Sequence, residues 1–195
     1  MKNAITLIAI AGMASVASAQ NFSLDISGPS EVDEGAVFTM TVTGDSDFGT
    51  HMLGGGFSLT TGSALISDMS WTPASWSGFN EDGGYAGGGN YGGVVFGQLL
   101  LPIPGFDTPA AGSELGGEIG SFQVTLGAGS GIIDFQLVGA VPFTLESVDV
   151  DNGLASMQDT NGQLSLGSAR VNVTPAPSAM ALLGLGGLVA GRRRR

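Results

Sequence analysis

Apolar residues recur at every second position in short runs that glycine cuts off, and this period of two constrains the chain more than any other feature. Phe22-Ser23-Leu24-Asp25-Ile26 alternates cleanly, and Val37–Val42 sets Phe38, Met40 and Val42 on one side and Thr39 and Thr41 on the other. The pattern returns in Gly56–Thr60, Val94–Phe96, Gly120–Leu126 (Phe122, Val124, Leu126 inward) and Ile132–Val138 (Ile133, Phe135, Leu137 inward). Val141–Leu145, Gln163–Leu166 and Ala169–Val173 complete the set, and no helical period intervenes. Asn152-Gly153 and Asn161-Gly162 carry the strongest hairpin-turn chemistry. The prediction is an all-β fold, a single β-sandwich of about nine short antiparallel strands in which each sheet buries one face and wets the other. Pro175 and Pro177 end the last strand, because proline cannot donate to a ladder.

One stretch breaks this rhythm. Ser70–Gly93, SWTPASWSGFNEDGGYAGGGNYGG, has too much glycine for a strand and reads as a long loop. It gathers both tryptophans, Trp71 and Trp76, and both tyrosines, Tyr85 and Tyr91. Exposed, these rings would stack on sugar faces, with Asn80, Glu81, Asp82 and Asn90 near enough in sequence to bond hydroxyls. Buried, the two tryptophans would plug the sandwich.

The two ends follow different rules. Met1–Ala19 has a positive start at Lys2, an apolar stretch from Ala4 to Val16 and the small-x-small pattern Ala17-Ser18-Ala19. That is a secretory signal helix cleaved before Gln20. The sandwich domain is expected over residues 20–173, and residues 174–195 form a separate tail. Removing the signal and the tail changes the charge. All 17 Asp and Glu lie between Asp25 and Asp159, and Arg170 alone opposes them, a balance of −16. Such a body repels nucleic acid and anionic lipid, and with no lysine it cannot build a phosphate cradle from side chains. There is no cysteine, so an exported chain of this kind depends on its core rather than on disulfides.

The tail runs TPAPSAMALLGLGGLVAGRRRR from Thr174 to Arg195. Its apolar segment, residues 179–191, is about half the length that spans a bilayer as a helix. Arg192, Arg193, Arg194 and Arg195 would hold its end on the cytoplasmic side. A proline motif (Pro175, Ala176, Pro177), a short hydrophobic helix and a basic end together resemble the PEP-CTERM sorting tail of bacterial exported proteins, with Ala176 standing where that pattern has glutamate. The resemblance implies export machinery and an exosortase-like processing enzyme as partners, transient or permanent membrane contact through the tail, and a cell-envelope or extracellular destination. In the body, Gly35–Trp71 and Gly117–Leu137 resemble the strands of cohesin-like and related carbohydrate-binding sandwiches. That implies either extracellular polysaccharide or another protein as a further partner.

Little in the body suggests catalysis. His51 is the single histidine, so any nucleophile-histidine arrangement would have to use it. Gly87, Gly89 and Gly92 match a dinucleotide fingerprint, but a strand follows instead of the required helix. No cofactor is expected beyond Ca²⁺: Asp149-Val150-Asp151-Asn152-Gly153 falls one residue short of a calcium loop, and Asp45 and Asp47 form a second acidic turn. These acids either hold a cation or solvate hairpin tips. The sequence therefore reads as a non-enzymatic, acidic, exported sandwich.

Overall fold

A computed structural model describes residues 20–176. The expected signal helix with Ala17 and Ala19, and the expected tail helix with Pro177 and Arg192–Arg195, lie outside the described residues.

The described chain is all β. Its strands are β1 (Asn21–Ser27), β2 (Glu31–Asp33), β3 (Val37–Ser46), β4 (His51–Thr60), β5 (Ile66–Pro73), β6 (Glu81–Asp82) and β7 (Tyr85–Gly87), followed by β8 (Asn90–Gly97), β9 (Glu118–Leu126), β10 (Gly131–Gly139), β11 (Leu145–Asp149), β12 (Ala155–Gln158), β13 (Gln163–Leu166) and β14 (Ser168–Thr174). One sheet runs β13-β1-β3-β9-β5. In the other, β8 pairs with one side of β4, and β11 and β10 share its other side. That second sheet continues through β14 to β2, with β12 beyond β11 and the short β6 and β7 beyond β8.

The alternating runs do what their period requires. Phe22, Leu24 and Ile26 of β1, Phe38, Met40 and Val42 of β3, Phe122, Val124 and Leu126 of β9, and Ile133, Phe135 and Leu137 of β10 all point into one shared core. Burying each of these side chains contributes about 1.5–3 kcal/mol before the cost of ordering the chain.

The sandwich differs from the expected nine antiparallel strands in number and direction. Fourteen strands are present among the described residues, and two pairings are parallel: β1 with β13, and β14 with β2. The extra strands lacked a readable signal for physical reasons. β2, β6, β7 and β12 are too short to show a period. β5 contains a bulge between Ile66 and Asp68, so its buried residues Ile66, Met69 and Trp71 fall out of strict alternation. The strand expected over Val141–Leu145 begins only at Leu145. Asn152-Gly153 does sit in the β11–β12 hairpin, but Asn161-Gly162 does not turn a hairpin. It ends a 3₁₀ turn, Asp159–Asn161, from which β13 runs alongside β1.

Glycine matters most at Gly54-Gly55-Gly56, in the middle of β4, where strands crowd from both sides. A Cβ on Gly54 would lie 2.8 Å from the Phe96 carbonyl oxygen, one on Gly56 3.0 Å from that of Val94, and one on Gly55 would collide with the Thr144 carbonyl.

The sandwich has two poles. At one, the Asp47–Thr50 turn meets β11 through Thr50 N–H to Val148 O (2.9 Å), and the segment after β8 is tied down by Gln98 N–H to Leu53 O (2.9 Å) and Leu115 N–H to Thr50 O (3.2 Å). At the other, Glu34 N–H bonds Thr174 O (2.8 Å), Gly127 N–H bonds Leu65 O (2.8 Å) and Gly129 N–H bonds the Glu34 carboxylate (2.7 Å). The chain leaves toward its tail from this second pole.

Candidate functional site

The aromatic segment comes first, because the sequence singled it out. Trp71 lies on β5 and Tyr91 on β8, and Trp76 follows β5 in the connection to β6. Trp71, Trp76 and Tyr91 are all buried, at 7%, 4% and 4% exposure. Trp71 packs edge-on to Phe57 at 5.4 Å and tilted against Phe122 at 4.7 Å, and Tyr91 meets Phe122 at 5.0 Å. Trp76 stands edge-on to Phe96 at 6.1 Å, and its Nε1–H donates to the Glu118 carbonyl at 2.7 Å. These rings join the two sheets, since Phe57, Tyr91 and Phe96 come from one and Trp71 and Phe122 from the other. Only Tyr85 is half-buried, and its hydroxyl is already committed to Ile66 O (2.7 Å) and Gly89 N–H (3.2 Å).

The expected loop is therefore largely a set of strands, and of the two fates open to its tryptophans the structure shows the buried one, in which they plug the sandwich. Apolar burial accounts for the correction: Trp71 sits opposite Phe122 across the β5–β9 ladder, where its ring has only the interior to enter. Gly120, next along β9, leaves room for it, because a Cβ there would lie 2.5 Å from Trp71 Cζ2. The Tyr91 hydroxyl accepts the Trp71 backbone N–H at 3.1 Å. Burial, with the Asp82 carboxylate as second cause, pushes its pKa up to about 12.

The acidic turns are occupied by nearby backbone N–H groups and asparagine side chains. Asp149 Oδ1 accepts the N–H groups of Asp151 (3.1 Å) and Asn152 (3.2 Å), and its Oδ2 accepts the Asn152 amide (2.6 Å). Asp47 accepts both the backbone N–H (2.7 Å) and the side-chain amide (2.8 Å) of Asn21, and Asp45 takes the Ser46 N–H (2.9 Å). Among the described residues, no three His, Cys, Asp or Glu side chains converge as a metal cluster would require. His51 hydrogen-bonds through Nδ1 to Thr50 Oγ1 at 2.9 Å, beside the β-bridge to Glu114. Asp159 is the one buried carboxylate, and it spends Oδ1 on the N–H groups of Thr144 (2.9 Å) and Leu145 (3.2 Å). Arg170 pairs with Asp134 on the exposed face of β10 and β14 at 2.6 Å, and that carboxylate raises its pKa.

The feature that stands out as unused was not singled out by the sequence reading. Between β8 and β9, Leu99–Pro109 (LLLPIPGFDTP) forms a loop whose feet are clamped by one side chain: Gln98 Nε2–H donates to Met52 O (2.7 Å) and its Oε1 accepts Ala110 N–H (2.8 Å). Internal bonds shape it, from Leu101 N–H to Phe106 O (2.8 Å) and from Phe106 N–H to Ile103 O (3.1 Å). Yet Leu99 (49%), Leu101 (39%), Ile103 (48%) and Phe106 (48%) are all exposed. Phe79, 57% exposed, stands at its base, its N–H bonded to Gly97 O. The readable signal was apolar density without alternation, interrupted by Pro102 and Pro104, which forbids a ladder.

Two mixed sheets packed face to face over one core define the class of architecture, an all-β sandwich. No protein-family model matches the chain, and no curated protein matches it in sequence. Among solved structures it is similar to the seventh ScaB type I cohesin from Pseudobacteroides cellulosolvens, at 12% identity over 82% of this chain and 94% of that one, with a TM-score of 0.48. It is also similar to a cohesin module of a family 33 glycoside hydrolase from Clostridium perfringens, at 14% identity over 82% and 99%, TM-score 0.45. A third similarity is to a CARDB domain from Pyrococcus furiosus, at 12% identity over 82% and 97%, TM-score 0.37.

Proposed function

We propose that the chain is an exported, non-enzymatic module of the bacterial cell envelope or extracellular matrix: an acidic sandwich delivered by its N-terminal signal and sorted through its C-terminal tail. The observation that carries this reading is where the body stops. Strand β14 is held by β10 and β2 up to Thr174, and the proline motif begins at the next residue, so the tail hangs from a finished sandwich at one pole. His51, Asp45, Asp47 and Asp149, the side chains the sequence offered for catalysis or cation binding, each make local bonds, which supports a role in presentation rather than turnover. The carbohydrate-binding alternative needs free faces on Trp71 and Trp76, and both rings are inside the core.

The test is the mass of the C-terminal peptide of the mature protein, measured separately in envelope and culture medium. The expected result is a chain that starts at Gln20 and ends upstream of Ala179. A protein that keeps Arg192–Arg195 and stays with the membrane would make the tail a permanent anchor and sink the processing step. A chain retained in the cytoplasm with Met1–Ala19 intact would sink export itself.

A further inference from the structure

We infer that the Leu99–Phe106 loop is a docking tip for a second protein, one presenting an apolar pocket ringed by lysine or arginine. The inference rests on the exported, tail-sorted reading for its orientation, and on the loop itself for its chemistry.

Four large apolar side chains on one short loop, with Phe79 at its base, expose a patch of the order of a few hundred Å², the size at which apolar surface marks an interaction site. The loop is also ordered in advance. Gln98 fixes its feet, backbone bonds fix its tip, Pro102 and Pro104 limit its φ angles, and Gly105 takes the left-handed φ of +90° that the turn requires. Holding apolar residues in water on a pre-shaped loop favours a binding partner, because little conformational entropy remains to be lost on docking.

Charge and topology select the occupant. Asp107 on the loop segment and Glu114 beside its feet are exposed, and the described body carries seventeen acids against one arginine, itself paired with Asp134. This field repels an anionic lipid surface and a second copy of the chain, and attracts a basic rim. Under the tail-sorted reading the chain's own apolar tail is engaged at the membrane rather than at the loop. Gln98 bonds Leu53 near the start of β4, whereas the chain exits at Thr174. Thr60 lies opposite Gln136, and Val173 opposite Gly131, five residues further on. At about 3.4 Å per residue the two points are roughly 30–40 Å apart along the sheet. A tail held at a membrane therefore leaves the loop facing outward.

The chain has no cysteine, so Phe106→Cys creates a single attachment point for a benzophenone maleimide. The purified chain spanning residues 20–195 is labelled there, mixed with washed cell envelopes and irradiated. Val141→Cys, at the most exposed apolar position, is the control. The expected result is one protein adduct from position 106 and none from 141, whose cross-linked peptide carries Lys or Arg flanking an apolar run. The adduct should fall about tenfold in a Leu101→Ser, Ile103→Ser background, the scale of losing an apolar anchor, and severalfold with Asp107→Asn, Glu114→Gln. Adducts to lipid, to the chain itself or to an acidic peptide, or equal labelling from both positions, overturn the proposal. Mass spectrometry of the native chain's two ends reads the export hypothesis separately, so either can fail without the other.

Discussion

Two neighbouring stretches, Ser70–Gly93 and Leu99–Pro109, are both rich in large apolar groups and meet opposite fates. The first carries so much glycine that it reads as a loop, and the structure folds much of it into strands and sends Trp71, Trp76 and Tyr91 into the core. The second carries the densest apolar run of the body and stays in water. The difference is backbone pairing. β5 finds β9 and β8 finds β4, so each ring gains a facing sheet, while Pro102 and Pro104 leave the second stretch with no ladder to join. Apolar content alone does not decide burial here; access to a partner strand does.

The largest way to break this contrast is Trp71→Ala. It removes the ring that links Phe57 and Phe122 across the sheets and should cost about 3–5 kcal/mol in denaturant unfolding. A loss below 1 kcal/mol would mean that the aromatic segment is not core. Gly120→Ala attacks the same ring from outside, because its Cβ would meet Trp71 Cζ2 and the Thr72 carbonyl, and should cost about 1–3 kcal/mol by the same measurement. Tyr91→Phe leaves the ring in place but strands the buried Trp71 N–H, at a cost of about 1–2 kcal/mol.

Tyr91 also sharpens the comparison through pH. Its pKa is raised from 10 to about 12 in the folded state, so the native protein holds this proton more tightly than the unfolded chain does. The resulting stability is complete below pH 10 and is lost as pH climbs from 10 through about 12. Tyr91→Phe should flatten that part of the alkaline unfolding profile; a profile identical to the parent's would refute the assignment. The smallest effect belongs to the exposed loop. Phe106→Ser or Leu101→Ser should shift stability by no more than about 0.5 kcal/mol while removing docking, a separation that no substitution at Trp71 can give.

The period-two runs were legible because each of those strands has one dry and one wet face, and the inward residues of β1, β3, β9 and β10 fall where alternation puts them. β5 was not legible because its bulge shifts the phase between Ile66 and Asp68, and β2 was not because three residues carry too few repeats of a pattern; Gln163–Leu166 was read as a strand, but alternation says nothing of its parallel pairing with β1. The aromatic segment misled for another reason: glycine content reports conformational freedom, not exposure, and Gly120 and Gly54–Gly56 are spent on close approach between strands. The exposed loop was visible as composition, but nothing in composition says that Gln98 will clamp it open rather than let it collapse onto the body.

The two parallel pairings carry a consequence for how the molecule is made. The first strand of the body lies beside β13 and the second beside β14, so both N-terminal strands wait for the last residues of the domain. A chain emerging N-terminus first cannot complete the first sheet until Leu166 has appeared, nor the second until Thr174 has. Its closure is late, long-range and slow, as high contact order requires. If the chain is exported as proposed, a thread that stays open until its end is through is suited to passage through a narrow channel.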